Sequence, residues 1–224
     1  MQTLPILSIR RLSMENGFLN DWNRIVHPEY FPKVPDNSLP DIKCRYDAFK
    51  CCNPSDLKII MIGQDPYSTP GIANGIAFGT DTGIEPASLK ILKDASIDRT
   101  IPHNRVIFDD SLRSWEKQGI LMLNCALTVK QNSPCSHILL WNPYMTGLLK
   151  KLSLFETGLV YVLFGKFAWS MSNCINGKTN TVIKVNHPAY YARSNTAMPQ
   201  ELFYRINGEM KNRYNQKINF YEEV

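Results

Sequence analysis

No stretch of apolar residues in this chain approaches the ~18 that a membrane-spanning helix needs. The opening residues, Met1-Gln2-Thr3-Leu4-Pro5, do not follow the charged-then-apolar pattern of a secretory signal. These absences predict a soluble, intracellular protein with no membrane partner: cytoplasmic, or nuclear in a eukaryote. There is also no C-x-x-C pair. The six cysteines (Cys44, Cys51, Cys52, Cys125, Cys135 and Cys174) are scattered, and the adjacent Cys51 and Cys52 make a poor chelating arrangement. They read as free thiols of a reducing compartment, and no metal site is expected. No repeat, low-complexity tract or linker divides the 224 residues, which predicts one domain with one sizeable core. Excess charge is scarce in most of the chain: residues 1–145 hold 15 Lys/Arg against 15 Asp/Glu, whereas 146–224 hold 10 against 5. That basic sector, with Lys184, Arg193, Arg205, Lys211, Arg213 and Lys217, is compatible with a polyanionic partner, although ordinary solvated faces have the same composition.

Four short apolar runs stand out: 58–62, 120–123, 159–164 and 181–185. Several of their residues are β-branched, and longer helix-compatible stretches separate them. This spacing predicts an α/β protein, a three-layer α/β/α sandwich around a central, mainly parallel four-stranded sheet. Phe108, Leu112 and Trp115 lie at i, i+4 and i+7 with Gly119 after them, which predicts a helix ending at that glycine. A second apolar stretch, 141–152, leads into the third strand. The first ~40 residues, with prolines at 28, 32, 35 and 40, are expected to be irregular and to wrap the surface.

In open α/β sheets ligands bind beyond the C-terminal ends of the strands. The first run is followed by Gly63-Gln64-Asp65-Pro66-Tyr67, the second ends at Asn124, the third leads into Gly165-Lys166, and the fourth into Asn186-His187-Pro188. An Asp, an Asn and a His thus arrive at one edge from three separated segments. Singly, each has an ordinary structural role: a turn, a strand cap, a packed histidine. Together at strand ends they indicate a site.

These residues carry a resemblance. Gly63-Gln64-Asp65-Pro66-Tyr67 resembles the water-activating motif of family 1 uracil-DNA glycosylases, and Pro70-Gly71 and Asn74 to Phe78 are similar to its continuation. Pro86-Ala87-Ser88-Leu89 resembles the family's phosphate-contacting loop. Trp115 to Gly119, Leu123-Asn124 and Leu127 to Val129 resemble its uracil-reading segment. Ser136-His137, Phe164-Gly165, His187-Pro188 and Lys217 to Phe220 follow in the family's order. The likeness runs from about Ala48 to the C-terminus and leaves 1–47 as a divergent N-terminal segment of the single domain 1–224.

The resemblance implies an enzyme of base-excision repair that flips uracil out of single- or double-stranded DNA and hydrolyses its N-glycosidic bond, with neither metal nor cofactor. Asp65 would position the attacking water and stabilise the cationic sugar, while His187 would donate a hydrogen bond to uracil O2 as charge develops there. Asn124 would read the uracil edge, since one carboxamide offers both a donor and an acceptor. Phe78 would stack under the base, Tyr67 would exclude a methyl group at C5, and Gln64 would offer its backbone N–H. For the DNA backbone the resemblance implies Pro86 and Ser88, the latter at a helix start suited to phosphate. Ser68 replaces the family's usual His. After His187-Pro188 the family carries a loop whose Leu wedges into the duplex. Here the run is Ala189-Tyr190-Tyr191-Ala192-Arg193, with Tyr191 at the wedge position. Tyr190, Tyr191 and Arg193 are therefore expected to replace the wedge, with an altered strand preference and an altered response to a DNA-mimicking protein inhibitor. A monomer is expected. Two alternatives stand beside this reading: a DNA-scanning subunit of a replication complex, and a glycosylase for another modified base.

Overall fold

Four runs of aliphatic and β-branched residues become four strands: β1 (Ile59–Gly63), β2 (Ile120–Asn124), β3 (Val160–Phe164) and β4 (Thr181–Val185). The computed structural model describes residues 22–224, so the expectation for the first part of the N-terminal segment, residues 1–21, lies outside the described residues. The strands form one sheet in the order β2-β1-β3-β4, and each neighbouring pair is parallel. Every residue of β1, β2 and β3 is buried, as expected for strands covered on both faces. In β4 only Ile183 is buried, and Lys184 keeps this edge charged and exposed.

Five helices frame the sheet and its C-terminal edge: α1 (Ala87–Ser96), α2 (Ile138–Phe155), α3 (Gly165–Ser170), α4 (Pro188–Ser194) and α5 (Glu201–Tyr214). In α2 the residues Trp141, Met145, Leu148, Leu149 and Leu152 recur at helical spacing and are buried, while Leu139 and Leu154 face out. In α5, Leu202, Phe203, Ile206 and Met210 do the same. Phe203 meets Phe220 and Trp115 edge-on, and the Trp115 indole N–H donates to the Phe220 carbonyl at 2.9 Å, fixing the C-terminal segment to the core.

The helix expected over 108–119 is largely absent. Only Arg113–Glu116 is helical, and Leu112 just before it has φ 60. The Asp109 carboxylate explains the difference: it accepts from the Ser111 N–H, the Ser111 hydroxyl and the Ser114 N–H, a local network that competes with helical bonding. Upstream, Val106–Ile107 pairs antiparallel with Glu222–Glu223 instead. Gly119 does end the helical turn, at φ 92, and a Cβ there would lie 2.0 Å from the Asp56 carbonyl oxygen.

The open side of β2 is closed without a further strand. The Ala77 N–H donates to the Met122 carbonyl at 3.2 Å, and the Met122 N–H donates to Glu116 Oε1 at 3.2 Å. Glu116 is fully buried, its Oε2 has no hydrogen-bond partner among the described residues, and burial raises its pKa well above the ordinary carboxylate value. A group whose folded pKa is raised opposes folding once pH exceeds its unfolded pKa, because its charged form is penalised only in the folded state. Glu116→Gln keeps the acceptor without the charge. Its stability advantage over wild type in urea unfolding is expected to grow as pH rises from about 4.5 towards 8. Glu116→Ala, which orphans the Met122 N–H, should cost about 1–3 kcal/mol.

Candidate active site

The parallel register brings the strand ends to one edge of the sheet, with Gly63 opposite Asn124 and Phe164 opposite Val185. Beyond β1 the chain turns through Gln64 and Asp65, held against the neighbouring strand end by Cys125 N–H to the Gly63 carbonyl and Ala126 N–H to the Gln64 carbonyl, both 3.1 Å. Gly63 is needed for close approach: a Cβ there would lie 2.4 Å from Asn124 Oδ1 and 3.1 Å from the Phe78 ring. The Asn124 carboxamide therefore sits over the glycine, beside Phe78. Asn124 is only 7% exposed, yet its carboxamide makes no hydrogen bond to any described residue. Its polar atoms are not sealed in the core, so they are open to an external partner.

Phe78 is buried in the left-handed region at φ 67, a conformation that a bulky residue keeps only when its surroundings enforce it. Here the Tyr67 hydroxyl donates to the Phe78 carbonyl at 2.8 Å, and the ring packs edge-on against Phe164 and tilted against His187, at 5.2 and 5.4 Å between centroids. Burial pushes the Tyr67 pKa up, so the hydroxyl keeps its proton for this bond.

His187 caps α4: its Nδ1 accepts from the Ala189 N–H at 3.2 Å, and Pro188 follows at the first helical position. An accepting Nδ1 puts the proton of the neutral ring on Nε2, leaving that N–H free to donate. Burial, with Arg193 adding a smaller push, lowers the His187 pKa to about 4. The ring is thus neutral at physiological pH. Gly165, at φ 83, lets the β3–α3 turn pass close by; a Cβ there would lie 2.9 Å from His187 Cβ.

Asp65 is partly buried, and both its oxygens are held. Oδ2 accepts from the Cys135 backbone N–H at 2.5 Å and Oδ1 from Gln64 Nε2 at 2.9 Å. Burial raises its pKa, and these two hydrogen bonds oppose the rise. His137 is buried, with Nδ1 2.9 Å from the Thr128 hydroxyl.

The expected DNA-contacting residues fall on two helices that pack against each other, α1 and α4. Pro86 caps α1 and Ser88 lies in its first turn. Ala189 to Arg193 form most of the seven-residue helix α4 rather than a loop, because His187 and Pro188 start a helix that Asn195 ends at φ 51. The three residues expected to replace the wedge, Tyr190, Tyr191 and Arg193, thus lie on one short helix. Tyr191 turns inward, partly buried against the core, while Tyr190 is 49% exposed and meets it edge-on at 5.3 Å. Ser68 lies off these helices, its carbonyl accepting from the Asn132 N–H at 2.9 Å. A groove of about 1010 Å³ between α5 and the C-terminal segment contains none of these residues. Sequence reasoning missed Gly63 as a spacer and Cys135 as a partner of Asp65.

The sequence profile of the uracil DNA glycosylase superfamily matches residues 49–215, about three quarters of the chain. The chain belongs to this superfamily. The uracil-DNA glycosylase of Mesomycoplasma hyopneumoniae is 31% identical over 216 residues, covering 94% of this chain and 98% of its own. That of Campylobacter lari is 35% identical over 158 residues, covering 69% and 68%. Among solved structures, mimivirus uracil-DNA glycosylase superposes with a TM-score of 0.72 at 23% identity, covering 82% of this chain and 75% of that one, a likeness of fold. A variant of the mimivirus protein has been solved in complex with UGI, with a TM-score of 0.70, 23% identity and the same coverages. The chain is accordingly a DNA-repair hydrolase of N-glycosyl bonds, with uracil-containing DNA as substrate. No helix among the described residues is long and apolar enough to cross a membrane.

This geometry has two measurable consequences. Gly63→Ala should displace the Asn124 carboxamide and the Phe78 ring, lowering kcat/KM for uracil release by about 10–100-fold in steady-state assays. His187, whose folded pKa lies below its unfolded value, should make wild type lose stability as pH falls from about 6.5 to about 4, by about 1–3 kcal/mol in urea titrations. His187→Gln should lack that component.

Proposed function

We propose that Asn124 selects uracil, Asp65 serves the sugar and His187 serves the departing base. The observation that carries this reading is the Asn124 carboxamide, lying over Gly63 beside Phe78 with its polar atoms open to an external partner. A flipped pyrimidine on the Phe78 ring meets a group offering a donor for O4 and an acceptor for N3–H. Tyr67, tied to the Phe78 carbonyl, stands as the wall that excludes a methyl group at C5. The Gln64 backbone N–H is assigned to O2, with the His187 Nε2–H.

In the reaction the N1–C1′ bond breaks, its electron pair leaves with uracil, and a water oxygen adds at C1′. The proton lost by water balances the one that uracil takes up. Negative charge grows at uracil O2 and positive charge on the sugar. A neutral donor at the first and a carboxylate at the second stabilise both without any new charge having to form. Deprotonated Asp65 fits this role, with both oxygens already oriented.

DNA is gripped, in this reading, by Pro86 and Ser88 at the start of α1, by Ser68, and by Ala189, Tyr190 and Arg193 of α4. Tyr190, the exposed ring, is the residue that fills the space left by the base, and Tyr191 supports it. A DNA-mimicking protein inhibitor would press on the same helix. The protein acts as a monomer inside the cell.

The decisive experiment is release of free uracil from matched single- and double-stranded uracil oligonucleotides in EDTA. Wild type is expected to release uracil. Asp65→Asn is expected to lose about 10²–10⁴-fold or more in kcat with DNA binding retained. Tyr190→Ala should lower the double- to single-strand rate ratio more than Tyr191→Phe does. Near-normal turnover by Asp65→Asn would remove the carboxylate from the mechanism, and an unchanged ratio would remove Tyr190 from the wedge role.

A further inference from the structure

The turn at 131–136 folds back onto the segment that carries Asp65, although some 70 residues separate them. Asn132 N–H donates to the Ser68 carbonyl at 2.9 Å, and Cys135 N–H donates to Asp65 Oδ2 at 2.5 Å. Cys135 also meets Gln64: Gln64 Nε2 donates to Cys135 Sγ at 3.0 Å and, with its second proton, to Asp65 Oδ1 at 2.9 Å. Cys135, Gln64 and Asp65 thus close a ring of three contacts in which both carboxylate oxygens are fixed.

The backbone of the turn makes this possible. Asn132 and Cys135 both lie in the left-handed region, at φ 54 and 67. Asn visits that region readily; Cys does not, and a non-glycine residue held there marks a place where surrounding bonds over-determine the conformation. The Lys130 N–H to the Ser136 hydroxyl, at 2.8 Å, and the Ile138 N–H to the Cys135 carbonyl, at 3.2 Å, close the turn on either side. The left-handed step presents the Cys135 N–H to Asp65.

We propose that Cys135 is a positioning residue for Asp65, its left-handed backbone presenting the N–H that holds the carboxylate in the orientation that attack on the sugar requires. The proposal rests on the catalytic role assigned to Asp65 under the proposed function. The titratable groups facing Asp65 are the thiols of Cys125 and Cys135. Burial, with the charge of Asp65 adding to it, raises both pKa values, that of Cys125 to about 12, so neither contributes a charge near neutral pH. The Asp65 ionisation is therefore governed by burial and by the two donors. Removing a donor should move it upward.

The test compares Cys135→Val, Cys135→Gly, Cys135→Ala and Asp65→Asn in single-turnover uracil release across pH. Valine is poorly tolerated at positive φ, whereas glycine accepts it and keeps the N–H in place. Cys135→Val is expected to lose about 10–100-fold in kcat with KM within about threefold of wild type, and to shift the acid limb of kcat to higher pH. Cys135→Gly should recover most of the rate and return the limb towards its original position. Where the valine variant does not fold, the alanine and glycine variants decide: a slower alanine variant with a shifted limb supports the proposal, and identical behaviour of the two overturns it. A folded Cys135→Val of normal rate beside an inactive Asp65→Asn also overturns it, as does a slow valine variant with an unshifted limb. An active Asp65→Asn would instead refute the role of Asp65 itself.

Discussion

The hydrogen-bonded register of the parallel sheet determines where each group of the site can be. β1 lies between β2 and β3, and Gly63 is level with Asn124. A slip of one residue would turn Asn124 to the other face of the sheet and bring Leu123 level with Gly63. Register alone is not enough, because the neighbouring position has to be empty: the Asn124 oxygen lies 2.4 Å from where a Cβ on Gly63 would stand. The same economy recurs at Gly165, where the missing Cβ leaves room for His187. Strand ends supply direction and glycines supply space.

Desolvation acts in opposite senses on the two titratable groups of the site, raising the pKa of Asp65 and lowering that of His187. Both shifts favour the neutral form. For His187 this is harmless, since the proposed chemistry asks it only for an N–H. For Asp65 it works against the charge needed beside the sugar. The hydrogen bonds are distributed accordingly. Asp65 receives two donors, from Cys135 and Gln64, whereas the one donor given to His187, the Ala189 N–H, stabilises the neutral tautomer.

The sheet was legible because strands buried on both faces must be written as short aliphatic runs, and four such runs are conspicuous. Asp65, Asn124 and His187 were legible as arrivals at strand ends, and their ordered motifs identified the family. The segment 108–119 was not, since Phe108, Leu112 and Trp115 satisfy a helical period that says nothing of the Asp109 network. Cys135 left no signal because its contribution passes through a backbone N–H and a φ angle, neither of which depends on recognisable side-chain spacing. The different exposure of the two tyrosines was not legible for a related reason. Treated as a loop, 189–193 offers no basis for ranking them; as a helix it rotates about 100° per residue, so adjacent rings must face apart. Tyr190 goes to solvent and Tyr191 to the core.

That helix also joins two parts of the proposed mechanism. His187 is at once the cap of α4 and the donor assigned to the base, and the bond from the Ala189 N–H that starts the helix is the bond that places the ring proton on Nε2. α4 packs on α1, whose first turn holds Ser88, and carries Tyr190 and Arg193 on its exposed side. Any force that DNA exerts on these residues is applied within two turns of the histidine. If the helix end unwinds, His187 loses both its tautomer and its orientation. If DNA holds the helix in place, the donor is fixed as the base arrives. In the proposed mechanism, gripping the backbone and polarising the base therefore depend on the same few hydrogen bonds, a coupling that a mobile wedge loop with no capping role for the histidine would not provide.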